Sequence, residues 1–211
     1  MTNLSTRRSA LRLSAALTAS VALPALLLHP AMAQTPRRLT PSQSEGPFYP
    51  DQALADADAD LLKNGTVAYK GGQSAWVSGV VSDQAGRPVS GAVVEIWQCD
   101  HDGVYRHSHS SGPAPRAFQG FGKVQVAADG RYRFRTIKPA PYPGRPPHIH
   151  VKVKLGTKEL LTTQMYIAGE PGNAHDFLLR GLSPQERSLL EVPFTRGLDG
   201  LRAEFGIVVA T

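Results

Sequence analysis

Alternating or continuous apolar runs fall at Ala75–Val81, Ala92–Trp97, Gly122–Val126, Tyr132–Ile137, His148–Val153, Glu159–Met165 and Phe205–Val209. A period of two sends successive side chains to opposite faces, so each run predicts a short strand with one buried face. Gly, Pro and Asp clusters punctuate the runs, including the turn signals Asp83–Gly86 and Asp129–Gly130. Many short strands separated by turns predict an all-β fold, a β-sandwich with little helix. Helical signals are confined to Gln52–Lys63, where alanine and aspartate alternate, and to Ser183–Leu190, with Ser183 as its cap. The expected organisation is a mostly irregular N-terminal arm over 34–74 and one sandwich domain over 75–211. No internal repeat interrupts it.

The first 33 residues read differently. Arg7 and Arg8 stand in a twin-arginine pattern, and an apolar run from Leu13 to Leu28 follows, broken by small residues and Pro24. Ala31-Met-Ala33 is a small-x-small cleavage site, which makes Gln34 the expected mature N-terminus. This predicts a periplasmic or secreted protein, exported folded by the twin-arginine route, with no stable membrane anchor after processing. The alternative is an uncleaved anchor, for which the apolar run is short.

Charge adds little. Lys and Arg number 23 against 17 acids, a net +6. Residues 1–33 hold three arginines and no acid, so the remainder carries 20 minus 17, or +3. With no basic run and with scattered aromatics, nucleic acid is not an expected partner. Cys99 is the one cysteine, which excludes an internal disulfide. At the end of the Val93–Trp97 run it reads as a small buried side chain. The 178 residues after position 33 (211 minus 33) suffice for one sizeable core.

The candidate chemistry lies in Tyr142–His150, YPGRPPHIH. His148 and His150 are spaced i, i+2, so on a strand both imidazoles project from one face and can serve as paired metal ligands. The bland alternative is a solvated or core-satisfied pair. A Pro-rich turn just before them can bring the Tyr142 phenol toward the same point. A second segment, Val93–His107, runs as a strand into an Asp/Gly turn that ends on Tyr105. Tyr, His and Arg converging on one spot point to a hard-metal redox site rather than a structural zinc. His107 and His109 form another His-x-His, but in the Ser/Gly/Pro-rich loop that continues through Ser108–Pro115, where they read as solvated or substrate-facing. His101 and His175 read as surface histidines, and Tyr132 and Tyr166 as packing residues within strands.

The order of these segments resembles the intradiol ring-cleavage dioxygenase family, in a short, exported, protocatechuate 3,4-dioxygenase-like form. The block Leu39–Tyr49 (LTPSQSEGPFY) is similar to the opening of its protocatechuate and catechol enzymes. Gly79–Trp97 resembles their first hairpin, and Asp129–Pro139 the strand leading to their second tyrosine. The resemblance implies a non-haem Fe(3+) held by Tyr105, Tyr142, His148 and His150. It implies that Arg145 stabilises charge on the substrate, that Gln164 supports Arg145, and that Tyr142 is the ligand a bound catechol displaces. Gly46 and Pro47 are then expected beside the substrate, together with Arg145. The implied partners are a catechol-type aromatic and O2, with cleavage between the hydroxylated carbons to a muconate-type product. A homo-oligomer is compatible with the resemblance.

Departures narrow what transfers. Five residues separate Tyr142 from His148, fewer than in the well-known protocatechuate enzymes, which predicts a more open mouth. The long helical N-terminal segment of catechol and hydroxyquinol enzymes is absent from this sequence, so catecholic acids, bulkier aryl catechols and lignin fragments all stay open as substrates. Two other readings remain. Transthyretin-like and carboxypeptidase-regulatory binding modules share the Gly79–Trp97 hairpin pattern, but have no reason to gather two tyrosines and two histidines. A different metalloenzyme, or a metal-free relative, is the other.

Overall fold

The computed structural model describes residues 35–211, apart from 53, 111, 114 and 115. The expected export signal, the expected mature terminus at Gln34 and part of the Ser108–Pro115 loop lie outside the described residues. Among the described residues twelve strands form, named β1 (Lys63–Asn64), β2 (Val67–Ala68), β3 (Ser74–Asp83), β4 (Val93–Trp97), β5 (Phe121–Gln125), β6 (Arg131–Ile137), β7 (His148–Leu155), β8 (Lys158–Ile167), β9 (Glu191–Val192), β10 (Thr195–Gly197), β11 (Gly200–Glu204) and β12 (Ile207–Val209). Two five-stranded sheets carry the structure: β10-β11-β3-β12 with β6 also paired to β3, and β5-β4-β7-β8-β9.

Their facing sides make the core. From the first sheet come Ala75, Val77, Val81, Tyr132 and Phe134; from the second come Val94, Ile96, Ile149, Val151, Val153 and Met165, all buried. Leu61 and Leu62, from the arm, are buried in the same core. Along β3 both β11 and β12 pair in parallel, β11 with Ala75–Ser78 and β12 with Val81–Asp83. Between them the chain crosses Gly79, where an added Cβ would meet the Phe205 carbonyl oxygen at 1.9 Å. The sequence pattern gave a single strand over Phe205–Val209, and the structure divides that region. β11 precedes Phe205, and β12 begins only at Ile207.

The expected helix over Gln52–Lys63 does not form. Its aspartates bond the local backbone instead: Asp58 accepts from Asp60 N–H at 2.7 Å, Asp60 from Leu62 N–H at 3.2 Å, and Asp56 from Gly65 N–H at 2.8 Å. Side chains that satisfy nearby amides compete with the helical pattern and favour turns. The other helix forms as expected. α1 (Pro184–Leu190) starts at Ser183, whose hydroxyl accepts from Glu186 N–H while Glu186 accepts from Ser183 N–H, a reciprocal capping box. Among the described residues no helix is long and apolar enough to cross a membrane.

Register fixes what lies on the far side of the second sheet. His150 stands opposite Trp97 on β4 and Gln164 on β8; His148 stands opposite Tyr166; Lys152 stands opposite Glu95. Residues directly across a ladder share a face, so these side chains point away from the sandwich core. That outward face is nonetheless buried at His148, His150 and Gln164, because the arm and the loops after β4 and β6 cross it.

Candidate metal centre

His148 and His150 keep the same-face geometry that their spacing requires. Their Nε2 atoms are 3.2 Å apart, and both residues are fully buried. His148 Nδ1 lies 2.7 Å from the Pro146 carbonyl oxygen and donates to it, which leaves the Nε2 lone pair free and aimed at the cluster. Burial, reinforced by the nearby Arg145 charge, pulls the His148 pKa down to about 4 and holds His150 well below the usual imidazole range. Both rings are therefore neutral near pH 7, the form that ligates a metal.

Tyr105 reaches the same point from the loop after β4. Its hydroxyl is 3.1 Å from His150 Nε2, and its ring stacks on Phe48 with centroids 4.4 Å apart. Tyr142 is placed by the turn Tyr142-Pro143-Gly144-Arg145, in which Arg145 N–H donates to the Tyr142 carbonyl at 2.9 Å. Proline in the second position and a glycine at φ +82° in the third suit a type II turn. The half-buried Tyr142 ring lies 5.4 Å from those of both Tyr105 and His148. Burial holds the Tyr105 phenol well above its ordinary range and raises that of Tyr142, where Arg145 opposes the shift.

Arg145 is held on several sides. Nε donates to Asp176 at 2.7 Å, one Nη to Gln164 Oε1 at 2.6 Å and to the Tyr166 hydroxyl at 3.1 Å, and the other Nη reaches the Tyr142 hydroxyl at 3.4 Å. Gln164 in turn donates from Nε2 to the Ser44 carbonyl at 3.0 Å. The structure thus brings Tyr105, Tyr142, Arg145, His148, His150 and Gln164 together. Tyr166, read from sequence as a packing residue, is buried, but its hydroxyl also belongs to the arginine cluster and lies 3.0 Å from Gln43 Oε1. No motif or spacing in the sequence points to Asp176. Its one advance signal is general, that a buried arginine needs a carboxylate, and this does not say which.

The arm supplies the cover. Gly46 has φ +75°, and a Cβ there would stand 3.2 Å from His150 Cε1. It packs on the His150 imidazole, while Pro47 is exposed. His107 and His109 stay outside the donor cluster. His107 lies edge-on to Phe48 at 5.7 Å with Nε2 3.7 Å from Asp51, and His109 is exposed. His101 and His175 are exposed, and Cys99 is buried with its thiol near the Ala140 carbonyl. The Asp100, His101 and Asp102 side chains also converge, but Asp100 Oδ1 already accepts from the Asp102 and Val104 N–H groups, which makes this a tied turn.

The donor set fits a hard trivalent cation. Two neutral imidazole nitrogens and a phenol oxygen meet within hydrogen-bond distance, the second phenol packs against them, and among the described residues no carboxylate joins them. Phenols with raised pKa stay protonated unless a strongly charged ion displaces the proton. Beside Arg145 a cavity of about 270 Å³ opens, lined by Pro141, Pro146 and Pro147 with Glu170 and His175.

Comparison with known proteins agrees with this arrangement. A family model described as Dioxygenase matches residues 44–192. The protocatechuate 3,4-dioxygenase beta chain of Burkholderia cepacia is 37% identical over 183 residues, covering 77% of this chain and 76% of that one. The chain spans about half the length of the hydroxyquinol and catechol 1,2-dioxygenases it also matches. Among solved structures, the dioxygenase domain of a dioxygenase carbohydrate-binding protein fusion from Streptomyces sp. SirexAA-E superposes with a TM-score of 0.64 at 33% identity, over 81% of this chain and 97% of that one. An intradiol ring-cleavage dioxygenase from Tetranychus urticae shares the fold, with a TM-score of 0.68 at 20% identity, over 82% of this chain and 95% of that one. These matches do not favour the binding-module alternative. On the strength of a family match over most of its length, the chain belongs to the intradiol ring-cleavage dioxygenase family, whose members are oxidoreductases.

Proposed function

We propose that this protein is a non-haem Fe(III) enzyme that cleaves a catechol-type ring between its two hydroxylated carbons, using O2 and giving a muconate-type product. The observation that carries the reading is the convergence of Tyr105, Tyr142, His148 and His150 beside a largely enclosed, four-partnered Arg145. These four donors would hold the iron. When bound, ferric iron would supply Lewis acidity that ionises phenols and draws electron density from a chelated catechol ring.

The chain's own groups have separable tasks. Tyr142 is the half-buried phenol of the pair and Tyr105 the fully buried one, so Tyr142 Oη is the phenol that an entering catechol can reach. Ionised to the phenolate, as a bound ferric ion would make it, Tyr142 Oη would take the proton of one catechol hydroxyl. Arg145, whose Nη lies 3.4 Å from that oxygen, stabilises the negative charge left on the substrate. Asp176, Gln164 and Tyr166 fix the guanidinium before substrate arrives, so its orientation costs nothing during reaction. The cavity along Pro141, Pro146 and Pro147 leaves room for a ring substituent. We further propose that residues 1–33 are a twin-arginine export signal and that the enzyme works in the periplasm or outside the cell.

Metal content and colour test the site. Protein purified under iron-replete conditions is expected to carry about one ferric iron per chain and a red-brown phenolate charge-transfer band. Tyr142→Phe or His150→Ala is expected to shift or bleach that band. Stoichiometric zinc with no visible absorption would end the iron assignment.

A further inference from the structure

The arm segment Ser44–Pro50 runs across the site without any backbone–backbone hydrogen bond to the sheets among the described residues; the preceding tie is Gln43 N–H to the Thr162 carbonyl at 2.9 Å. Yet this segment touches the donors at successive positions. The Ser44 carbonyl accepts from Gln164. Gly46 packs on His150, Phe48 stacks on Tyr105, and Tyr49 stands edge-on to Trp97 at 5.0 Å. Trp97 in turn lies parallel to the His150 ring at 4.8 Å. Side chains must therefore hold the strap in place.

One anchor is conspicuous because it is a buried lysine that the proposed chemistry does not use. Lys152 follows His150 by two residues on the same face of β7, and its side chain is 7% exposed. A lysine is seldom buried to that degree without paired carboxylates. Glu45 on the strap bonds its ammonium directly, Glu159 lies 3.1 Å away, and the Tyr49 ring sits 4.3 Å beneath it. At the strap's other end, Asp51 accepts from the Ser108 hydroxyl and amide.

We propose that Lys152 is a positioning residue: through Glu45 it clasps the strap onto the sheet, which presses Gly46 against His150 and sets the Ser44 carbonyl that orients Gln164. The clasp thus acts on both halves of the site, the ligand imidazole and the arginine support. An ordinary surface pair would do little, since exposed ion pairs contribute almost nothing measurable. Here one partner is buried and the segment it holds has no backbone tie of its own. The part of this inference that concerns iron rests on the functional reading above; the part that concerns the strap does not.

The test compares Lys152→Met, which keeps the stem and removes the charge, with Glu45→Gln on the half-exposed partner and with Lys152→Arg. Hydrogen exchange of the strap amides is measured in the metal-free chain, and the release of bound iron to a chelator in the loaded one. In both Lys152→Met and Glu45→Gln the Gly46 amide, bonded to the Ser44 hydroxyl, and the Gln43 amide at the root of the strap are expected to exchange about tenfold faster, with β3 and β6 unchanged. Iron release is expected to quicken about tenfold, as for lost outer-shell support, and Lys152→Arg to restore both. Strap exchange that stays at the wild-type rate in both variants would overturn the clasp. Faster exchange with unaltered iron release would overturn the positioning role. If the wild-type chain takes up no iron, the functional reading fails separately, and the exchange result alone decides the clasp.

Discussion

Replacing Asp176 by asparagine removes the counter-charge of Arg145 while keeping the shape of the side chain. Asp176 has no exposed side-chain surface, and its Oδ2 lies 2.7 Å from Arg145 Nε. Its Oδ1 accepts from the Leu178 and Leu179 N–H groups, each at 3.0 Å. Asparagine can keep those backbone bonds through its carbonyl, but must then turn an amide N–H toward the guanidinium. Breaking a buried ion pair from one side costs about 3–5 kcal/mol, because a charge is left without its partner. Arg145 keeps Gln164 and Tyr166 and borders an open cavity, so the lower end, about 3 kcal/mol, is expected. For a domain of about 150–250 residues that is a fall in melting temperature of roughly 6–12 °C. Ring-cleavage rate should drop about a hundredfold, the usual effect of a catalytic group displaced by about an ångström. Circular dichroism melting of the metal-free protein and oxygen uptake by the loaded one measure the two effects. Adding Arg145→Met to Asp176→Asn removes the unpaired charge while asparagine keeps the Leu178 and Leu179 bonds, and should recover part of the stability and none of the activity. A single Asp176→Asn variant that melts within about 2 °C of wild type would refute the reasoning, since the pair would then have no buried cost to expose.

The pH dependence has a definite sign. His148 titrates near 4 in the folded chain against an ordinary 6.5, so its contribution to stability is complete above pH 6.5 and is lost as the pH falls from there to about 4. The metal-free protein should lose melting temperature across that window, and a profile no steeper than that of a His148→Gln variant would contradict it. Gly46→Ala forces a side chain into a left-handed backbone and against His150, so it should destabilise the chain by about 1–3 kcal/mol and weaken iron binding. Wild-type melting and iron retention in that variant would show that the strap does not press on the ligand. Cys99 is buried, and burial raises its thiol pKa to about 12, so the native protein should resist thiol reagents that label it promptly once unfolded. Prompt labelling of the folded chain would place Cys99 at the surface.

The sandwich was legible because its strands are two-period patterns with one buried face, and because glycines and aspartates mark the turns between them. The same parity carries His148 and His150 to one face of β7, so their pairing could be read from spacing, whereas the roles of Tyr105, Tyr142, Arg145 and Gln164 came from the family resemblance. The helix at Ser183 was legible for a local reason too, since its cap and the Glu186 that answers it lie within one turn. Gln52–Lys63 misled because alanine–aspartate alternation resembles a polar helix, whereas Asp56, Asp58 and Asp60 each satisfy a nearby amide. What no pattern disclosed is the set of partners that meet only after folding. Tyr166 looks like a strand packing residue until register puts it opposite His148, and Asp176 comes to Arg145 from a segment 31 residues away. Nor does periodicity say that the site occupies the outward face of its sheet. That follows from the arm crossing it, and the arm is held there by Glu45, Phe48 and Tyr49 on specific partners rather than by any repeat.

Oxygen consumption by the iron-loaded chain over a panel of catechols, with product identification under isotopically labelled O2, tests the central claim most directly. The account predicts about one O2 per catechol and a muconate-type product carrying both oxygen atoms, with turnover falling about a hundredfold or more in Arg145→Ala while the visible band persists. A yellow semialdehyde product, which marks cleavage outside the diol, or no consumption with any catechol by protein that holds its ferric iron, would contradict it.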